Sequence, residues 1–115
     1  MNYCASDACT IKEIMETFEN NHDRVAIIVN SRNKVMGVVS QGDIIRALTN
    51  DIDIHAKINT ILLPSFIYLD EYNMEKAYKV FKEKNISLLP IVNKNFEIQS
   101  VITINDIFQY LEKSK

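Results

Sequence analysis

Residues 4–48 of this 115-residue chain match residues 67–111 at a constant offset of 63, without a gap. Asp7 falls on Asp70, Phe18 on Phe81, and Ile28-Val29-Asn30 on Ile91-Val92-Asn93. Val38 falls on Val101, Asp43-Ile44 on Asp106-Ile107, and Leu48 on Leu111. Nine identities in 45 positions is a modest count, but they sit at equivalent points of one structural pattern. A period of this length marks two copies of one supersecondary unit, each too small to bury a core alone. The chain is therefore expected to form one module over residues 1–115, with repeat one at 4–48, a connecting segment at 49–66 and repeat two at 67–111. Clefts between such repeats are natural ligand sites.

Each repeat reads the same way. Thr10-x-x-Glu13 is a capping box, and Ile11, Ile14, Met15 and Phe18 follow at the spacing of one helix face. That helix should fade near Asn20-Asn21. Val25 to Val29 is a continuous apolar run of strand length, expected to be buried on both faces. Ser31 to Lys34 turns the chain, and Val35 to Val39 returns as a hairpin partner. A second helix carries Ile44, Ile45 and Leu48. In repeat two, Asn73 caps a helix with Met74, Ala77, Tyr78 and Phe81 on its apolar face. Leu88 to Val92 is a strand in which Pro90 signals an edge or an irregularity. Glu97 to Ile102 returns, and Ile107, Phe108 and Leu111 line the last helix. Short extended lead-ins, Tyr3–Ser6 and Phe66–Leu69, precede Asp7 and Asp70. Between the repeats, Ile54 to Leu63 is expected to hold a short helix ended by Pro64, and the composition is not that of a flexible linker.

Composition narrows the function. A net charge of −2, with Lys and Arg scattered singly, argues against a nucleic-acid surface. No run approaches the roughly 20 apolar residues of a membrane span, and the N-terminus shows no secretory signal, so a cytoplasmic location is expected. Cys4 and Cys9 have neither C-x-x-C spacing nor enough companions for a disulfide framework and read as reduced thiols. His22 and His55 lack acidic or thiol partners at ligand spacing, so no metal site is expected. No G-x-S-x-G, P-loop or H-E-x-x-H occurs, and catalysis has no visible machinery.

The stretch Gly37-Val-Val-Ser40-Gln-Gly-Asp43-Ile-Ile-Arg46-Ala-Leu48 places a hydroxyl at a strand-to-helix junction, beside free helical amides. Such a junction suits an anion. An aspartate one turn on offers two acceptors to vicinal hydroxyls, and a nucleotide presents phosphate and ribose diol at about that separation. Thr103 and Asp106 repeat the pair, with Ser100 in place of Gly37. Both pairs also read simply as capping boxes, a role compatible with binding.

A doubled helix–strand–strand–helix unit with Gly-h-h-Ser/Thr-x-x-Asp-h-h at the second strand's exit resembles a pair of cystathionine-β-synthase (CBS) domains. The likeness covers essentially the whole chain. It implies an α/β (α+β) fold of two β-α-β-β-α repeats about a pseudo-twofold axis, sheets facing, with two inter-repeat clefts and a common tendency to form homodimers. It further implies a regulatory site for AMP, ADP, ATP or S-adenosylmethionine. There Asp43 and Asp106 would take ribose hydroxyls, and Ser40 and Thr103 would lie near phosphate. Gly37 would allow close backbone approach, and Val25, Ala26, Ala5, Tyr68, Ser87 and Leu88 would line the base pocket. Arg24, Lys34 and Arg46 give repeat one phosphate partners, whereas repeat two has Ser87, Glu97 and Gln109 in their places. The first motif is thus the better phosphate site. The phrase from Asp43 through the connecting segment is similar to CBS pairs beside sugar-phosphate nucleotidyltransferases and isomerases, which would admit a sugar or pyrimidine nucleotide. The alternative is a dimerisation or interaction scaffold with vestigial sites.

Overall fold

A computed structural model describes residues 3–21, 23–63 and 65–113. The chain divides into two compact units, residues 1–66 and 67–115. Unit one runs β1 (Cys4–Ser6), α1 (Ile11–Phe18), β2 (Val25–Val29), β3 (Val35–Ser40) and α2 (Gln41–Thr49). Unit two runs α3 (Met74–Glu83), β4 (Leu88–Val92), β5 (Ile98–Thr103) and α4 (Ile104–Lys113). Among the described residues, four α-helices and two sheets give the expected mixed α/β class.

The hairpins are copies in detail. Val25 pairs with Ser40 and Ile28 with Gly37, and at the same offset Leu88 pairs with Thr103 and Ile91 with Ser100. Both ladders shift register at one place, between Ile28 and Val29 and between Ile91 and Val92. The turns explain the Asn30/Asn93 identity. Asn30 Oδ1 accepts from the amides of Arg32 (2.9 Å) and Lys34 (3.0 Å). Asn93 Oδ1 accepts from Asn95 (2.9 Å) and Glu97 (3.0 Å). Each turn then passes through a left-handed residue, Asn33 or Phe96, both at φ 63°. Asparagine tolerates that conformation, whereas an aromatic there is an outlier.

The lead-ins differ. β1 lies parallel to β2, with Ala5 opposite Ile28, and the Ile27 amide donates to the Tyr3 carbonyl at 2.7 Å. Pro90 holds the place of Ile27 and has no amide hydrogen, so unit two keeps only an isolated bridge between Leu69 and Ile91. In that bridge Leu69 plays the part of Ala5, an offset of 64 where the hairpin has 63. The gapless alignment therefore slips by one residue at the lead-in, and Asp7 and Asp70 are not structural equivalents.

Each unit has its own core. Ile11, Ile14, Phe18, Ala26, Ile28, Val39, Ile44 and Ile58 form the first, and Ala77, Leu89, Ile91, Ile102 and Ile107 the second. Ile45 and Phe108, expected inside, are exposed (55% and 56%), and Met15 is at the margin. One residue advances about 100° around a helix, which carries Ile45 and Phe108 off the faces centred on Ile44 and Ile107.

The connecting segment belongs to unit one and is not a helix beyond a single 3-10 turn, Ile58–Thr60. Pro64 and His22 lie outside the described residues. The carbonyls of Ala56 and Ile54 accept from the amides of Ile11 and Lys12, both at 2.9 Å, and the Ile58 amide donates to Cys9 at 2.8 Å. Lys57 Nζ donates to the Ala8 carbonyl at 2.8 Å. Together with the Thr10–Glu13 capping box these bonds satisfy the first amides of α1, and Ile58 is completely buried.

Candidate functional site

The strand-to-helix junctions form as the motif demands. Ser40 is the N-cap of α2: its Oγ accepts from the Asp43 amide at 3.3 Å and donates to Asp43 Oδ2 at 3.0 Å. Asp43 Oδ2 also accepts from the Ser40 amide at 2.9 Å. Asp43 Oδ1 is bridged by the Arg46 guanidinium, one turn on. Arg46 is 70% exposed, so this ion pair is weak and exchangeable against a ligand. The first amide of α2, that of Gln41, donates to the Arg24 carbonyl at 3.1 Å, presented by a left-handed residue (φ 50°). Around Gly42 the corner is open: an added Cβ would meet only Arg46 Nη1 at 3.6 Å and Ser40 Oγ at 3.7 Å. Hydroxyl, carboxylate and guanidinium thus converge at one helix start, with acceptors for a diol and a cation for an anion.

Unit two repeats the cap without the cation. The Thr103 amide donates to Asp106 Oδ2 at 2.8 Å, and the Asp106 amide to Thr103 Oγ1 at 3.2 Å. The Ile104 amide donates to the Ser87 carbonyl at 3.0 Å, matching Gln41 and Arg24. Gln109 stands where Arg46 stands, and among the described residues no side chain bridges Asp106 Oδ1.

The expected base-lining residues are not all brought to these junctions. Val25 and Leu88 are the direct cross-strand partners of Ser40 and Thr103 and share their faces, and Ser87 adjoins Leu88. Ala26 is fully buried in the core of unit one, on the opposite face of β2. Gly37, the partner of Ile28, faces that same core, and the close approach it allows is by the chain itself. A Cβ there would lie 2.7 Å from Leu62 Cδ1 and 3.3 Å from the Leu63 carbonyl oxygen. Nothing in the local sequence announces that contact. Ala5 lines a cavity of about 410 Å³ with neighbours from Cys4 to Ala8 and Val29 to Ser31, at the end of β2 away from Ser40. Tyr68 directly precedes the Leu69 that bridges Ile91, and its ring packs edge-on against Phe96 of the hairpin turn at 5.2 Å. Burial pushes the Cys4 thiol up from its ordinary value. Among the described residues no group of three or more His, Cys, Asp or Glu could hold a metal ion, and no helix is long and apolar enough to cross a membrane.

The family profile described as CBS domain matches residues 3–50 and again 63–113, nearly the whole chain. The chain belongs to the CBS domain family. Among curated proteins this CBS pair is similar to homoserine O-acetyltransferase of Methanosphaera stadtmanae, 29% identical over 104 residues, covering 90% of the chain and 21% of that protein. The CBS pair thus spans about a fifth of that relative's length. Among solved structures, the CBS domain protein PAE2072 from Pyrobaculum aerophilum, complexed with AMP, superposes with a TM-score of 0.76. It is 24% identical, with 96% of this chain and 90% of that one covered. Protein MJ1225 from Methanocaldococcus jannaschii superposes with a TM-score of 0.84 at 24% identity, covering 96% of this chain and 46% of that one. These likenesses concern the fold of the CBS pair.

Proposed function

We propose that this CBS pair is a regulatory module that binds a nucleotide and modulates an attached or partner enzyme. Asp43 takes the ribose diol, Ser40 and Arg46 face the phosphate, and Val25 supplies apolar contact beside them. The observation that carries this reading is the convergence of Ser40, Asp43 and Arg46 at the start of α2, where the ion pair to Oδ1 is solvent-exposed and can yield to ligand hydroxyls. The AMP complex of the PAE2072 protein supports an adenosine nucleotide as the ligand class. AMP, ADP and ATP are the first candidates, with S-adenosylmethionine and sugar nucleotides as the wider set. Thr103 and Asp106 form the second, phosphate-poorer site, flanked by Leu88 and Ser87.

The module itself performs no chemistry, and it acts in the cytoplasm as a homodimer. Ligand binding shifts the balance between two states of that dimer through its different affinity for each. The regulated enzyme is of the kind such modules adjoin, with a sugar-phosphate nucleotidyltransferase or isomerase favoured by the connecting phrase.

Thermal melting of the chain against AMP, ADP, ATP, S-adenosylmethionine, CMP and sugar nucleotides tests this directly. A ligand at about 100 times its Kd adds about 2.7 kcal/mol to the folded state, a shift of several degrees or more. A selective shift supports the sensor. A cooperative melt that no nucleotide moves would favour the scaffold reading, which draws on one observation: capping already engages the Ser40 hydroxyl and one carboxylate oxygen of Asp43.

A further inference from the structure

The far end of β1 and β2 holds polar groups that the fold does not use. The two strands are parallel and finish side by side, Ser6 opposite Val29. Their exits then part: the chain leaves β1 for α1, and leaves β2 for the hairpin to β3. A crevice beyond the carboxyl ends of parallel strands, between diverging connections, is where open α/β sheets take their ligands. The cavity of about 410 Å³ opens here, at the small end of the range for small-molecule sites. Its apolar lining is Ala5, Ala8, Val29 and the Cys4 thiol, which burial keeps in its neutral form.

Two polar residues stand together over that lining. The Asp7 amide donates to the Val29 carbonyl at 2.9 Å, which carries the ladder one step further. Asp7 and Asn30 are thereby neighbours about 4.8 Å apart, the spacing of adjacent strands. Both are partly buried. The Asp7 carboxylate has no hydrogen bond or ion pair among the described residues. Helix α1 does not call on it, because Thr10 and Glu13 close the capping box by themselves.

Asn30 commits its Oδ1 to the amides of Arg32 and Lys34, and among the described residues its Nδ2 donor has no acceptor. In the second hairpin the matching donor, Asn93 Nδ2, is held by Glu97 Oε1 at 2.9 Å. Lys34 stands at the place of Glu97, so unit one offers that donor no carboxylate. Ser31 adds a hydroxyl to the same wall. The corresponding end of unit two is furnished otherwise, with Leu69 at the bridge position of Ala5 and Lys94 at that of Ser31.

We propose that this cavity is a second ligand site, separate from the Ser40–Asp43 junction, and that it takes an aliphatic α-amino acid. The ammonium pairs with Asp7, the carboxylate accepts from Asn30 Nδ2 and the Ser31 hydroxyl, and the side chain lies on Ala5, Ala8 and Val29. Charge selects this class. Asp7 repels phosphates and other anions, so the cavity is not a further nucleotide site. A simple amine would satisfy Asp7 but bury the Asn30 donor without a partner. A zwitterion meets both groups and brings no net charge.

Amide NMR spectra of the full chain, titrated with leucine, isoleucine, valine and methionine, are the test. At least one of these should give saturable shifts centred on Ser6–Ala8 and Asn30–Ser31. Asp7→Asn removes the charge that holds the ammonium and should weaken that binding about tenfold or more. Asn30→Asp keeps an oxygen for the Arg32 and Lys34 amides, so the turn persists, while setting a carboxylate against that of the ligand. It too should weaken binding about tenfold or more. Neither change removes a bond the fold uses, so both variants should melt close to the wild type. The amine that lacks the carboxylate, isopentylamine in the case of leucine, should bind about tenfold more weakly or worse. No shift with any of the amino acids at about 10 mM would overturn the proposal. So would binding that either substitution leaves intact, or an amine that binds as tightly as its amino acid.

Discussion

Ser40 and Asp43 hold each other from both sides of the β3–α2 junction: the Ser40 hydroxyl donates to Oδ2 at 3.0 Å, and the Asp43 amide donates back to Oγ at 3.3 Å. The same two groups that would meet a ligand are thus fixed by folding before any ligand arrives, which is what preorganisation requires. Stability and binding then depend on the same atoms, and the two roles must be separated by measurement.

Ser40→Ala removes an N-cap and should cost about 1 kcal/mol, lowering the melting midpoint by about 4 °C. Thr103→Ala should cost about the same, because Oγ1 accepts the equivalent amide. Thermal denaturation without ligand checks both. A loss at only one position would mean that the two junctions are not energetically alike.

Asp43→Ala should weaken nucleotide binding more than Asp106→Ala, at least tenfold against a smaller change, since only Asp43 has a guanidinium neighbour to hold phosphate. Titration calorimetry with the nucleotide that raises the midpoint most would measure it. Equal losses, or a loss confined to Asp106, would transfer the site to unit two.

Gly37→Ala places a methyl group 2.7 Å from Leu62 Cδ1, so Leu62 must move. Overpacking of this kind costs about 1–3 kcal/mol. Leu62→Ala also destabilises by leaving a gap, but the double variant should lose less than the two single losses combined. Urea unfolding of the three variants gives the coupling. Strict additivity would show that Gly37 matters for something other than room for Leu62.

Backbone and hydroxyl hydrogen bonds from Thr10 hold the Glu13 carboxyl below its ordinary range. A carboxylate depressed in the folded state stabilises at pH values above its unfolded pKa, about 4.3, and that contribution disappears as the pH falls through the lower folded value. The wild-type melting midpoint should therefore drop more steeply on acidification than that of Glu13→Gln, which keeps a capping side chain that does not titrate. Parallel curves would show that the capping box does not persist in solution.

Much of this was legible in the sequence because it is local. The caps at Thr10, Ser40, Asn73 and Thr103 announce themselves in three or four residues, and the strands at Val25 and Leu88 in five. What escaped was non-local. Ala26 and Gly37 read as pocket residues from their position in the motif, yet the alternation of β2 and β3 turns both toward the helices, where Leu62 from a distant segment covers Gly37. Tyr68 and Leu88 share a repeat, but the Tyr68 ring turns to Phe96 of the hairpin turn. The one-residue slip at Leu69 was hidden because the aspartates at 7 and 70 coincide in the alignment, whereas Pro90 and the shorter loop before α3 set the real register.

The strap formed by Ile54, Ala56 and Ile58 sets an order of events during synthesis. The first amides of α1 wait for carbonyls more than forty residues downstream, so the start of that helix stays solvated while only the first 48 residues have left the ribosome. Unit one can close once Ile58 and Leu62 have emerged, before α3 has followed them out. A nascent chain emerged only to residue 48 would be open to proteases, and one emerged to just past residue 66 would be resistant. The stretch between the repeats is therefore the last piece of the first of them, and the point at which the growing protein commits to its shape.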